Sequence, residues 1–143
     1  MARHCNFTLL LVATITLWLT GCTRNNGDIG IWFGTWHVTS ITADGAAVNY
    51  EGDYFFQFQT TVFRVSRVTD HEESVESFGT WSEDEDASTL TVNFVDPDVY
   101  YLYVPGFDTV NAFHVTRMSS SQVTFTRTAD DGVTYVYSLK KQP

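Results

Sequence analysis

Cysteine is nearly absent from this chain. There are two, Cys5 and Cys22, and both lie within the first 22 residues. Nothing after them can form a disulfide or offer a thiolate, so a disulfide-stapled scaffold and a zinc-thiolate site are both excluded from the remainder. Basic residues are scarce as well: 8 Lys and Arg against 17 Asp and Glu give a formal charge of −9. None of the basic residues cluster, so nucleic acid is not an expected partner. Stretches with the apolar period of an amphipathic helix are missing. The one long apolar run, Phe7 to Leu19, is too short to span a bilayer comfortably. What fills the chain instead is β-branched and aromatic residues in short runs between turn signals, the composition of an all-β sandwich or barrel.

The first residues read as an address. Arg3 and His4 form a short positive region ahead of the apolar run, and Leu19-Thr20-Gly21-Cys22 follows. Small residues before a cysteine after such a run match the bacterial lipobox, so residues 1–21 are expected to be a cleaved lipoprotein signal peptide. Cys22 is then the lipidation site and the new N-terminus, carrying palmitate-type acyl chains. Several chains at about 0.8 kcal/mol per buried methylene make release from a membrane negligible. Cys5 leaves with the leader and Cys22 is capped as a thioether. Thr23 stands where an Asp would signal retention at the inner membrane, which points to the outer membrane. The following residues lack an acidic run for surface export, so a periplasm-facing position is expected, with surface exposure as the alternative. Residues 22–30 read as a flexible tether, and residues 31–143 as one domain large enough for a single core.

Chemistry-bearing patterns are sparse. His37, His71 and His114 are separated, and His71-Glu72-Glu73 lacks the second histidine of a helix-borne zinc site. Glu83 to Asp86 lacks the spaced ligands and central Gly of a calcium loop. No Gly-x-Ser-x-Gly elbow, Ser-His-Asp spacing or glycine-rich phosphate cradle occurs. The acidic runs near residues 70–73 and 83–86 fall where strand patterns stop, as solvated loops do. No catalytic residue, metal site or cofactor is expected, and an enzyme is not.

Nine strands are predicted: Thr35–Thr42, Asp53–Gln59, Val62–Thr69, Val75–Trp81, Thr89–Val95, Val99–Val104, Val110–Arg117, Gln122–Thr128 and Val133–Lys140. Short turns join most of them. The longest connection among the early strands runs from Ala43 to Gly52. Lys140 and Lys141 suit a solvated edge. Consecutive antiparallel strands of this kind favour an up-and-down meander, and closure removes its edges.

Gly34-Thr35-Trp36 opens the first strand, and Phe33-Gly34-Thr35-Trp36 is repeated as Phe78-Gly79-Thr80-Trp81. A Gly-x-Trp in this position resembles the lipocalin signature, although a plain strand start with a core Trp would look the same. In that family the Trp packs under an Arg near the end of the last barrel strands. The resemblance implies that Trp36 and Arg127 close one end of the barrel, with Arg117 as the alternative. Residues 31–141 as a whole resemble the lipocalin-like lipoproteins of Bacteroides-type bacteria. The features that carry this are the lipobox at Cys22, the two Gly-Thr-Trp runs, Asp44-Gly45, Leu90-Thr91-Val92, Val123-Thr124-Phe125 and the closing Leu139-Lys140-Lys141. The implied fold is an antiparallel up-and-down lipocalin-like β-barrel of 8–9 strands.

Alternation sends Trp36, Phe56, Phe58, Phe63, Phe78, Phe94, Tyr101, Tyr103, Phe113, Phe125, Tyr135 and Tyr137 inward. Phe56, Phe58, Tyr101, Tyr103, Phe113, Tyr135 and Tyr137 are the candidate ligand-lining residues, with Ala43 to Gly52 as a lid. A small apolar or amphipathic ligand is one expected partner. An eight-stranded barrel is only just wide enough for its own side chains or one small ligand, so a solid core is the other outcome. In that case the outer surface would dock a protein or glycan. Tyr100, Leu102 and Val104 would expose an apolar stripe for such a partner, unless Ile29 to Phe33 covers it.

Overall fold

Period-two alternation leaves each strand one apolar side, and a curled sheet buries that side against itself. The computed structural model describes residues 30–70, 72–94 and 104–143. The chain divides into two units, residues 1–30 and 31–143, and every strand among the described residues lies in the second. The strands are β1 (Gly34–Ala43), β2 (Ala46–Ala47), β3 (Asp53–Gln59), β4 (Val62–Thr69), β5 (Glu72–Asp84), β6 (Thr89–Phe94), β7 (Val110–Met118), β8 (Gln122–Thr128) and β9 (Thr134–Lys141). From β3 to β9 each strand pairs antiparallel with the next, and β1 pairs with both β3 and β9. β1 and β3–β9 therefore close a barrel, while β2 is a two-residue flap on the end of β1.

Two sequence expectations change here, and a third falls outside the described residues. The ninth strand is β2, inside the stretch read as a loop and lid, and β1 is its partner through Thr42 and Ala43. The expected strand Val99–Val104 lies outside the described residues apart from Val104, and β6 pairs directly with β7 without it. β9 is not a solvated edge, because β1 and β8 flank it.

The interior is aromatic. Trp36, Phe56, Phe58, Phe63, Phe113, Phe125 and Tyr137 are buried, with Val38, Ile41, Val65, Leu90, Val92 and Leu139 between them. Each large apolar side chain so buried contributes roughly 1.5–3 kcal/mol. Phe113 and Phe125 approach to 4.7 Å between ring centroids, and Phe58 meets Phe63 at 5.1 Å. Gly79 makes room at one tight point, since a Cβ there would collide with the Asn93 carbonyl.

Phe78 is a correction: it is 53% exposed. Gly79 lies opposite Phe63 and Phe94, so Gly79 and Trp81 carry the inward phase and Phe78 faces solvent. The first Phe-Gly-Thr-Trp has the same sense, with Phe33 out and Trp36 in.

Candidate functional site

The barrel has two unlike ends. At one lie the start of β1, the β3–β4, β5–β6 and β7–β8 turns and the end of β9. Trp36 fills it and is 0% exposed. Its Nε1–H donates to the Trp32 carbonyl at 2.7 Å, and the two indoles are 6.4 Å apart. Trp32 is buried too, 5.1 Å from Phe58. The cation over Trp36 is Lys141, with Nζ 5.1 Å from the ring centroid. The same ammonium donates to the Ile31 carbonyl at 2.9 Å, tying the segment before β1 to the end of β9.

Neither expected arginine plays that part. Arg127 pairs with Tyr135, whereas Trp36 pairs with Lys141. Six residues of β9 separate those positions, roughly 20 Å at about 3.3 Å per residue. Arg117 is exposed. The β7–β8 register shifts between Val115 and Arg117, and this bulge turns Arg117 outward and Met118 toward the core.

The other end is the candidate site. Here β1 hands over to the loop before β3, β4 turns into β5, β8 turns into β9, and the chain enters β7. Residues 104–109, just before β7, form a strap over the lumen. Val104 is only 4% exposed and belongs to the core. This corrects the outer apolar stripe at its one described member; Tyr100 and Leu102 lie outside the described residues. Phe107 comes from no strand, yet its ring enters the lumen. It lies 5.4 Å from Phe56, 6.3 Å from Phe94, 5.2 Å from Phe113 and 5.4 Å from Tyr137.

The strap is held by the barrel wall. The Arg127 guanidinium donates from Nη1 to the Gly106 carbonyl, and the Tyr137 hydroxyl donates to the Pro105 carbonyl. Asn111, fully buried, accepts from the Asp108 amide at 2.7 Å and donates to its carbonyl at 2.6 Å. Gly106 has φ +77°, and a Cβ there would run into the Tyr135 ring and the Tyr137 hydroxyl. Only glycine fits that contact.

Arg127 is 7% exposed, and among the described residues no carboxylate reaches ion-pair distance of it. Burial raises the Tyr137 hydroxyl far above its ordinary pKa, with the nearby Arg127 charge opposing. Across the mouth, Tyr54 on β3 and Arg67 on β4 are cross-strand partners. Burial raises Tyr54 as well, and its hydrogen bond with Arg67 opposes that shift. The Arg67 Nε and the Thr69 hydroxyl are buried and find no hydrogen-bond partner among the described residues. Two guanidiniums from opposite walls thus reach the same end.

Of the expected ligand-lining residues, the structure brings together Phe56, Phe58, Phe113 and Tyr137 in the interior, with Tyr135 half-buried at the mouth. Tyr101, Tyr103 and the lipidation site Cys22 lie outside the described residues, as does His71. The expected lid folds back on β1. The Val48 amide donates to Ile41 O at 2.9 Å, and the Tyr50 ring lies tilted at 5.4 Å from that of Tyr54. Among the described residues no three of His, Cys, Asp and Glu gather as metal ligands would. Trp32, Lys141 and Phe107 carry roles that sequence patterning did not assign. The Pro105-Gly106 turn before Phe107 was the one visible signal that the chain folds sharply there.

No protein-family model matches the chain. No curated protein matches it at a significant level either. Solved structures do match. A lipocalin-like protein from Bacteroides uniformis superimposes with a TM-score of 0.63 at 17% identity, over 79% of this chain and 100% of that one. The fold is lipocalin-like. An uncharacterized protein from Bacteroides eggerthii superimposes on the same lipocalin-like barrel with a TM-score of 0.61 at 13% identity, over 78% of this chain and 99% of the other. A redesigned β-barrel follows at 0.50 and 17% identity, over 79% of this chain and 93% of that chain. The lipocalin-like architecture gives this chain a closed end at Trp36 and a strapped end at Phe107, and among the described residues Arg127, Tyr137 and Asn111 gather at the second.

Proposed function

We propose that the protein is a lipid-anchored cell-envelope lipoprotein whose barrel binds a small apolar or amphipathic ligand at its strapped end. One observation carries this reading: strand side chains alone do not fill that end, and a connecting segment supplies Phe107 to complete it. A lumen that takes a phenyl ring from outside the barrel wall has the size and apolar lining for a guest of that kind. The anchor reading rests on Leu19-Thr20-Gly21-Cys22 after the apolar run; Thr23 supports the outer membrane, and the lack of an acidic run after it supports a periplasm-facing position. Titration of the purified protein with fatty acids and bile-type amphiphiles, followed by tryptophan fluorescence, tests the binding. A saturable change is expected.

A second reading has its own support. On the outer face of β3, β4 and β5, Gln57, Gln59, Val62, Arg64 and Phe78 line a shallow hollow of about 130 Å³. An exposed ring flanked by two amides and a guanidinium suits a glycan or a protein side chain, and the barrel would then act as a solid interaction module. Absence of any saturable response to amphiphiles favours this reading.

A further inference from the structure

We infer that the strap is a built-in pseudo-ligand, and that the ligand it stands in for is a monocarboxylate carrying an aryl or short alkyl tail. This rests on the barrel-binding reading above and adds the chemical class of the guest. The strap presents a phenyl ring to the lumen and carbonyl oxygens to two donors on the wall. Arg127 donates to the Gly106 carbonyl, and Tyr137 donates to the Pro105 carbonyl. A guanidinium this deeply buried normally has an anionic partner, because desolvation is offset only by close opposite charge. A neutral carbonyl offsets it incompletely. Arg127 reaches no carboxylate among the described residues, and its fork geometry suits one.

Chain chemistry fixes the spacing. Between the Gly106 carbonyl carbon and the Phe107 ring lie three atoms, the Phe107 N, Cα and Cβ. 4-Phenylbutyrate has the same three-atom spacing between its carboxyl carbon and its ring. Its carboxylate would take the Gly106 oxygen's place on Arg127, and its ring the place of Phe107 among Phe56, Phe113 and Tyr137. Binding requires the strap to withdraw. The strap's own affinity for the site therefore lowers the apparent affinity of any guest by the fraction of molecules with the site free.

Two variants loosen the strap by different means. Gly106→Ala places a Cβ against Tyr135 and the Tyr137 hydroxyl. Phe107→Ala removes the ring that competes for the lumen. Both are compared with the wild type by calorimetric titration with 4-phenylbutyrate, with 4-phenylbutyramide as the uncharged control, after circular dichroism confirms the β fold of each. The variants are expected to bind the carboxylate about tenfold or more tighter than the wild type does. They are expected to prefer it to the amide by roughly ten- to hundredfold, the range for a hydrogen bond to a charged group. Adding Arg127→Gln should abolish the preference. Equal binding of acid and amide in a folded variant overturns the inference and leaves the barrel-binding reading intact. Binding of neither compound by any folded variant, together with no response to fatty acids, overturns both. Should Gly106→Ala not fold, Phe107→Ala decides the matter by the same comparison.

Discussion

Replacing Trp36 tests how the closed end is built. Trp36→Ala deletes a side chain that is 0% exposed. Truncating a core Trp typically costs about 3–5 kcal/mol, the transfer loss plus the cavity left behind. The variant also strips the Trp32 carbonyl of its Nε1–H donor, worth about 1 kcal/mol, and leaves Lys141 without a ring beneath it, about 0.5–1 kcal/mol at a half-exposed position. The sum is about 4.5–7 kcal/mol, from the top of that range to somewhat beyond it. Trp36→Phe keeps most of the apolar fill and loses the donor, for about 1–2 kcal/mol. Urea denaturation followed by circular dichroism reads both. A double-mutant cycle then separates the cations. Trp36 and Lys141 should couple by about 0.5 kcal/mol or more, whereas Trp36 and Arg127, at opposite ends of the barrel, should show no coupling beyond about 0.3 kcal/mol. A loss below about 1 kcal/mol for Trp36→Ala refutes the plug. Coupling to Arg127 in place of Lys141 refutes the placement of the two ends.

Other substitutions address register, titration and anchoring. Phe78→Asp should cost no more than about 1 kcal/mol, the span of strand propensities, since the ring is half exposed on the outer face; a loss of several kcal/mol would put β5 in the opposite phase. The buried Tyr137 hydroxyl has its pKa raised in the folded state above the ordinary value near 10. Its protonated form is favoured by folding, so the stabilisation is complete below that value and declines as pH rises above it, with a slope approaching about 1.4 kcal/mol per pH unit. Tyr137→Phe should flatten the alkaline limb of the stability profile by up to that slope, and an unchanged limb would show that Tyr137 ionises freely when folded. If Cys22 carries the lipid, Cys22→Ser leaves the chain unprocessed at the inner membrane, and fractionation showing normal sorting would remove the anchor.

Much of the barrel was legible because its strands alternate without interruption. Tyr54, Phe56 and Phe58 on β3, Leu90, Val92 and Phe94 on β6, and Val123, Phe125 and Arg127 on β8 all point inward as period two requires. The short turns between them left little choice but a meander. Reading failed where the backbone breaks the period. A bulge between Val38 and Ser40 brings Ile41 into the core, and the one after Val115 turns Arg117 out. Such a shift depends on pairing across strands, which no single strand displays. Phe78 was misplaced for a different reason: on β5 the inward phase belongs to a glycine, which has no hydrophobicity to announce it. Arg127 was rightly placed facing in, but at the wrong end, because residue type says nothing of position along the barrel axis. The candidate site was the least legible part. Phe107 lies in a connection, where no periodicity marks a buried residue, and its role depends on Arg127 and Tyr137 from two other strands.

The most direct measurement is of the Phe107 ring itself. Nuclear Overhauser contacts in protein labelled selectively at phenylalanine and tyrosine should connect that ring with those of Phe56, Phe113 and Tyr137, and addition of 4-phenylbutyrate should weaken them. A Phe107 ring with no such contacts, tumbling freely outside the lumen of the unliganded protein, would contradict the account.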